Sequence, residues 1–155
     1  MKKIAVLIIA IFTLQSCISV RVNADIDPNA HYTKAENPNI KVQGTYFVEG
    51  FSDEKWSNSN NSNSTKAKFE KSTGTTYVKL DVKKKTSVEF RSVIKLKGDL
   101  NFKIIDKNEN VLFERNLNDS KEEVFTVDFS KSGEYQIIWN QQAATGSYFL
   151  EWKEN

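Results

Sequence analysis

Asp106, Asn108 and Asn110 stand at the one-three-five spacing of a calcium loop, which offers hard oxygen ligands from alternate residues. A complete loop of that kind asks for Gly at its sixth position and Glu at its twelfth, and this chain has Val111 and Leu117 there, so the stretch reads as a polar hairpin turn. Serine-type nucleophilic catalysis needs a histidine base, and the only histidine, His31, precedes the part of the chain that can fold. With no second histidine and a single cysteine to join it, His31 makes no zinc set either and reads as a solvated linker residue. Glu122 and Glu123 are adjacent, so on a strand they point to opposite faces and cannot flank one bond. The expectation is a protein that is not an enzyme and carries no metal and no cofactor.

Binding chemistry has better candidates. Flat aromatic rings stack on sugars, and of the three tryptophans Trp139 and Trp152 share a strand face with Ile137 and Leu150, which assigns them to a core. Trp56 remains, either as an exposed platform or as a cap on the end of a core. Charge is uneven along the chain: Lys79, Lys83, Lys84, Lys85, Arg91, Lys95 and Lys97 face only Asp81 and Glu89 between positions 79 and 97, while 106–134 is acid-rich. Arg91, Lys95 and Lys97 fall on one face of a strand. That face can hold an anionic partner such as a phosphorylated glycolipid head group or an acidic polysaccharide; its alternative is a solvated outer face whose lysines discourage edge pairing.

The chain opens with Met1, Lys2 and Lys3 ahead of an apolar run from Ile4 to Leu14, too short to span a bilayer as a helix and of the length of a secretory signal. Leu14, Gln15, Ser16 and Cys17 follow, and this resembles the lipobox of bacterial lipoproteins, with Gln15 as tolerated in Bacteroidota-like leaders. The resemblance implies cleavage before Cys17 and acyl chains, palmitate among them, on that residue. The expected place is the bacterial cell envelope, lipid-anchored at the outer membrane. A competing cut after Ala24 fits a small-x-small site but leaves Arg21 and a long polar approach behind the apolar run. Cys17 is the only cysteine, which excludes an internal disulfide. The chain has 22 Lys and Arg against 20 Asp and Glu, and loss of Lys2 and Lys3 with the leader leaves the body balanced, so nothing in global charge calls for nucleic acid.

Positioning these residues falls to strands. Gly-x-Tyr-x-aliphatic-x-Trp occurs twice, as Gly133, Tyr135, Ile137, Trp139 and as Gly146, Tyr148, Leu150, Trp152. Read as one hairpin turning over 141–145, the copies set Tyr135 against Trp152, Ile137 against Leu150 and Trp139 against Tyr148, an apolar face that needs a second layer. Upstream, 40–48, 75–82, 86–97, 100–104, 111–117 and 123–129 alternate at strand period, while Ser57 to Thr65 is serine, asparagine and one threonine and reads as a mobile loop. The count is about eight or nine strands with no helical period. The expected fold is all-β, a single antiparallel β-sandwich over 40–155, after a signal peptide at 1–16 and a flexible tether at 17–39. The Leu-x-Phe-x-Ile, Val-Leu-Phe and twin Gly-x-Tyr motifs between Gly98 and Trp152 resemble jelly-roll or GOLD-like sandwiches related to bacterial pre-peptidase C-terminal domains. That resemblance implies an accessory module and transfers no functional residue.

The functional expectation is a membrane-anchored cell-envelope lipoprotein acting as a non-catalytic binding or structural module, with an envelope protein or a glycan as partner besides the membrane. The alternative is a carbohydrate-binding module using Trp56 and the Asn/Ser loop.

Overall fold

The computed structural model describes residues 31–155; the leader, the lipobox and Cys17 lie outside the described residues. It contains β1 (Ile40–Phe47), β2 (Ser57–Asn61), β3 (Ser64–Val82), β4 (Thr86–Asp106), β5 (Val111–Phe129) and β6 (Gly133–Glu154), and no helix among the described residues. All pairings are antiparallel, in the order β1-β3-β6-β4-β5 with β2 also on β3. The all-β antiparallel class expected from sequence is therefore the one found, with six strands in place of eight or nine.

The difference lies in length. Strands β3 to β6 run 19, 21, 19 and 22 residues, and each does the work of two. Phe113 and Phe125 on β5 stack at 3.7 Å between ring centroids, and Trp139 and Tyr148 on β6 at 3.8 Å. At about 3.3 Å per residue a straight strand would separate those pairs by roughly 40 and 30 Å. Each long strand must therefore cross from one layer to the other and double back over a common core. The first layer reads across as 57–61, 64–69, 146–154, 86–96 and 121–129. The second reads 40–47, 74–82, 133–141, 99–106 and 111–117.

The bends are written in backbone conformation. Along β6 the buried positions that face the core are 135, 137, 139 and 141, then 144, 148, 150 and 152, with Glu151 buried on the other side, so the inward parity changes once. The left-handed φ of Ala143, +48°, makes that change, and Lys71, at +51°, does the same for β3. One extra residue at each bulge keeps the apolar side facing the core after the strand has turned. Gly146 sits where a Cβ would collide with the carbonyl of Lys95, and a Cβ on Gly98 would stand 2.7 Å from the carbonyl of Ala143. The two bends nest, and only glycine permits the approach.

The twin-motif hairpin is corrected by this arrangement. Each copy is the half of β6 that belongs to one layer, paired on one side with β3 and on the other with β4. A hairpin would have paired the two copies with each other, and Gln141 to Thr145 lacks the residues that a tight turn demands. The Asn/Ser stretch is corrected as well: Ser57–Asn61 is an edge strand and Asn63, Ser64 and Thr65 are buried. Its low hydrophobicity concealed a strand whose inward amides bind a hydroxyl. Thr45 Oγ1 accepts from Asn58 Nδ2 at 3.1 Å and Asn60 Nδ2 at 3.0 Å, tying β2 of the first layer to β1 of the second. At the opposite edge Arg115 Nε reaches Glu123 Oε2 at 3.2 Å, again between layers.

Between the layers lie Phe90, Phe102, Phe125, Phe129, Trp139, Tyr148 and Trp152, all within 1 % of full burial. Each such side chain is worth about 1.5–3 kcal/mol in area removed from water, which makes this aromatic stack the main support of the fold. The described part of the N-terminal segment, 31–39, lies against the first layer. Glu151 accepts from the Tyr32 N–H, Glu89 from the Tyr32 hydroxyl, and Glu154 from the N–H groups of Asn39 and Ile40.

Candidate functional site

Three places could bind a ligand, and each is built by strand register. The outer face of the second layer carries a row of amides. Asn101 on β4 pairs in register with Asn140 on β6 and with Asn116 on β5, so three asparagines lie side by side across three strands. Asn101 Nδ2 donates to Asn116 Oδ1 at 2.7 Å and to Glu114 Oε1 at 2.8 Å, which fixes the middle of the row. With Asp99, Asn118 and Gln142 the row lines a groove of about 460 Å³. The amides of Asn118, Asn140 and Gln142 hold no hydrogen bond to another described residue, leaving donors and acceptors for a ligand.

Next to that row, Tyr77 pairs in register with Ile138, two residues along from Asn140. Tyr46 on β1 is opposite Tyr77, and the two rings stack at 5.3 Å and 17°. Tyr46 is 40 % exposed, and the Lys79 ammonium stands 5.4 Å from its ring centre. Rigid strands thus present a broad aromatic surface beside a comb of amides.

Trp56 lies elsewhere, at the end of the sandwich. Its ring contacts Phe47 and Phe51 at 5.4 Å each and stacks on buried Phe69 at 6.2 Å, and its Nε1–H donates to Asn58 Oδ1 at 2.9 Å. It is half-buried and closes the core between the edge strands β1 and β2.

The basic residues separate. Arg91, Lys95 and Lys97 share the outer side of β4, but Arg91 is 3 % exposed, so it is not part of an exposed basic face. Its Nη1 donates to Glu151 Oε1 at 3.1 Å and its Nη2 to Glu122 Oε1 at 2.8 Å. Burial opposes the charge on the guanidinium, yet the bonds to Glu122 and Glu151 outweigh it and hold the pKa above its ordinary value. Lys95 and Lys97 stay exposed. Glu122 and Glu123 point to opposite faces, one to Arg91 and the other to Arg115.

Asp106 stabilises its own turn. Its Oδ1 accepts from the N–H groups of Asn108 and Asn110 and its Oδ2 from Asn110 Nδ2, and the bond from the Asn110 side chain leads in holding its carboxyl below the usual range. Among the described residues no group of three His, Cys, Asp or Glu side chains is placed to hold a metal ion. The amide row and the tyrosine pair were not foreseen from sequence, because positions 46, 77, 101, 116 and 140 meet only through register.

No family model matches the chain, and no curated protein does. Among solved structures it is similar to one described as "CBM4 structure and function", with a TM-score of 0.46 and 11% identity over 78% of this chain and 90% of that one. It is also similar to a family 29 carbohydrate binding module complexed with mannohexaose, with a TM-score of 0.37 and 10% identity over 74% of this chain and 90% of that one. A third is the enzymatically active domain of bacteriophage CBA120 tailspike protein 4, with a TM-score of 0.39 and 8% identity over 76% of this chain and 19% of that one. All three likenesses have TM-scores below 0.5 and identities of 11% or less.

Proposed function

We propose that this chain is a non-catalytic glycan-binding module, held at the bacterial cell envelope by acyl chains on Cys17, and that it takes its glycan on the outer face of the second layer. The amide row of Asn140, Asn101 and Asn116 carries the reading. Sugar hydroxyls are both donors and acceptors, and amides on three rigid strands meet them with matched groups at fixed spacing, while the Tyr46–Tyr77 surface beside them suits a pyranose face. Among the residues that line the groove Asp99 alone is charged, which fits a neutral sugar chain better than an anionic one. Trp56 serves this site from behind, by closing the edge from which Tyr46 projects.

The test is a glycan array probed with the full chain in detergent, followed by titration of the best hit. Binding should fall at least tenfold in Asn101→Ala and in Tyr77→Ala with melting temperature little changed. Affinity unchanged from the parent chain in both variants, or co-purification with an envelope protein in the absence of any glycan binding, would overturn the assignment.

A further inference from the structure

The outer face of the first layer holds a second surface of different chemistry. Lys68 on β3 pairs with Ser147 on β6, which pairs with Lys95 on β4; two residues along, Lys66 pairs with Phe149. Directly paired residues project from the same side of a sheet, so lysines on β3 and β4 flank a lane whose floor is Ser147 and Phe149. The walls are two strand spacings apart, about 10 Å, and Lys66 and Lys68 follow each other at about 7 Å. A groove of about 410 Å³ opens there, lined also by Ser57 and Ser59 of β2.

Charge balance distinguishes this lane from an ordinary solvated face. The acidic residues nearest the lane on this face are engaged, Glu151 and Glu122 with Arg91, and Glu89 with Lys153 at 2.9 Å, while Asp128 stands at the far end of β5 opposite Ser87. Lys66, Lys68 and Lys95 have no carboxylate within ion-pairing distance among the described residues. Two like charges, Lys66 and Lys68, therefore line a groove with a ring and hydroxyls at its base, and Lys95 stands across Ser147 on the β4 side. Their mutual repulsion favours a bound polyanion.

We infer that this lane binds an anionic polysaccharide, lying along β6 with its acidic groups on Lys66, Lys68 and Lys95, over Ser147 and the part of Phe149 that the edge-on His31 ring leaves uncovered. A chain laid in a groove reaches the Ser147 and Phe149 floor, which a flat lipid surface cannot, so a glycan is the partner that the shape selects. The site is independent of the amide row on the opposite layer. Neither Lys66 nor Lys68 stood out in the sequence, because they follow directly on the Asn/Ser stretch.

Binding of the full chain in detergent to immobilised polygalacturonate and dextran sulfate, with neutral dextran as control, tests the inference. Both polyanions should be retained and neutral dextran should not, and retention should weaken steeply between 50 and 200 mM salt. A Lys66→Gln, Lys68→Gln double variant, both positions being exposed, should keep its melting temperature and lose at least tenfold in affinity. Retention of one polyanion alone supports the lane and assigns its acid as carboxylate or sulfate. Asn101→Ala should leave this binding intact, which separates failure here from failure of the amide-row site. Retention unchanged in the double variant, no retention of either polyanion, or binding only to vesicles of anionic phospholipid would overturn the lane.

Discussion

The indole of Trp139 lies flat on the ring of Tyr148, 3.8 Å between centroids and 6° from parallel, although both residues belong to β6. On its other side Trp139 stacks on Phe102 at 4.3 Å. This three-ring stack joins the two layers where every long strand bends, so it stabilises tertiary closure more than local pairing. Trp139→Ala should cost about 3–5 kcal/mol, a large part of the 5–15 kcal/mol typical of a domain. Trp56→Ala, at a half-buried cap, should cost clearly less. Urea unfolding of both variants checks the order, and a mild effect at Trp139 would contradict the stack.

Arg91 should be the most sensitive charged position. Removing it leaves Glu151, itself 3 % exposed, as a buried carboxylate without its guanidinium. Arg91→Ala is expected to cost about 3–5 kcal/mol, whereas Arg91→Met with Glu151→Leu should recover most of the loss, because two apolar side chains carry no desolvated charge. A double-mutant cycle by thermal unfolding measures this coupling. Near-neutral behaviour of Arg91→Ala would refute the buried pair.

The strand pattern was legible in the sequence where alternation was strong, as at Val88, Phe90 and Phe125, Val127, Phe129, and those residues are core. Connectivity was not legible. A polar or glycine-containing interruption looks the same whether the chain reverses in a hairpin or bends through a bulge, so Gln141 to Thr145 read as a turn and Gly98 as a strand end. The Trp139–Tyr148 contact expected of a hairpin exists, but as packing between layers. Arg91 was placed on the correct side of β4, yet its burial depends on Glu122 and Glu151, which come from two other strands. The amide row needed the same information, since no local motif links Asn101, Asn116 and Asn140.

Acid should loosen the N-terminal segment before the sandwich unfolds. The Tyr32 hydroxyl donates to Glu89 Oε1 at 2.7 Å, and this bond leads in holding the Glu89 carboxyl below its ordinary value. A carboxylate depressed in the folded state contributes stability above its unfolded value of about 4.3, and that stability is lost as pH falls through the folded value. The Tyr32 phenol is shifted the other way, upward, chiefly by burial, so its contribution is present below about 10 and is lost as pH rises past that. Tyr32→Phe should therefore flatten both the acid and the alkaline limbs of the stability profile. Hydrogen exchange at Tyr32 between pH 2 and 6 reports the acid event, and a profile identical to that of the parent chain would contradict it.

Cys17, the expected acylation site, lies outside the described residues. His31, at the start of those residues, rests with its ring 5.8 Å from Phe149 on the outer face of the first layer. From Cys17 to His31 the chain can reach at most roughly 50 Å at full extension. An acylated Cys17 would therefore hold the sandwich within that distance of the bilayer, with the lysine lane on the face where the tether arrives. One acyl chain of myristoyl size binds only marginally, but two or more together, at about 0.8 kcal/mol per buried methylene, give stable anchoring. Cys17→Ser should thus move the protein from the membrane fraction to the soluble one and from the detergent phase to the aqueous phase. Unchanged partitioning of that variant would remove the lipid anchor from the proposed function while leaving the two binding faces to be tested on their own.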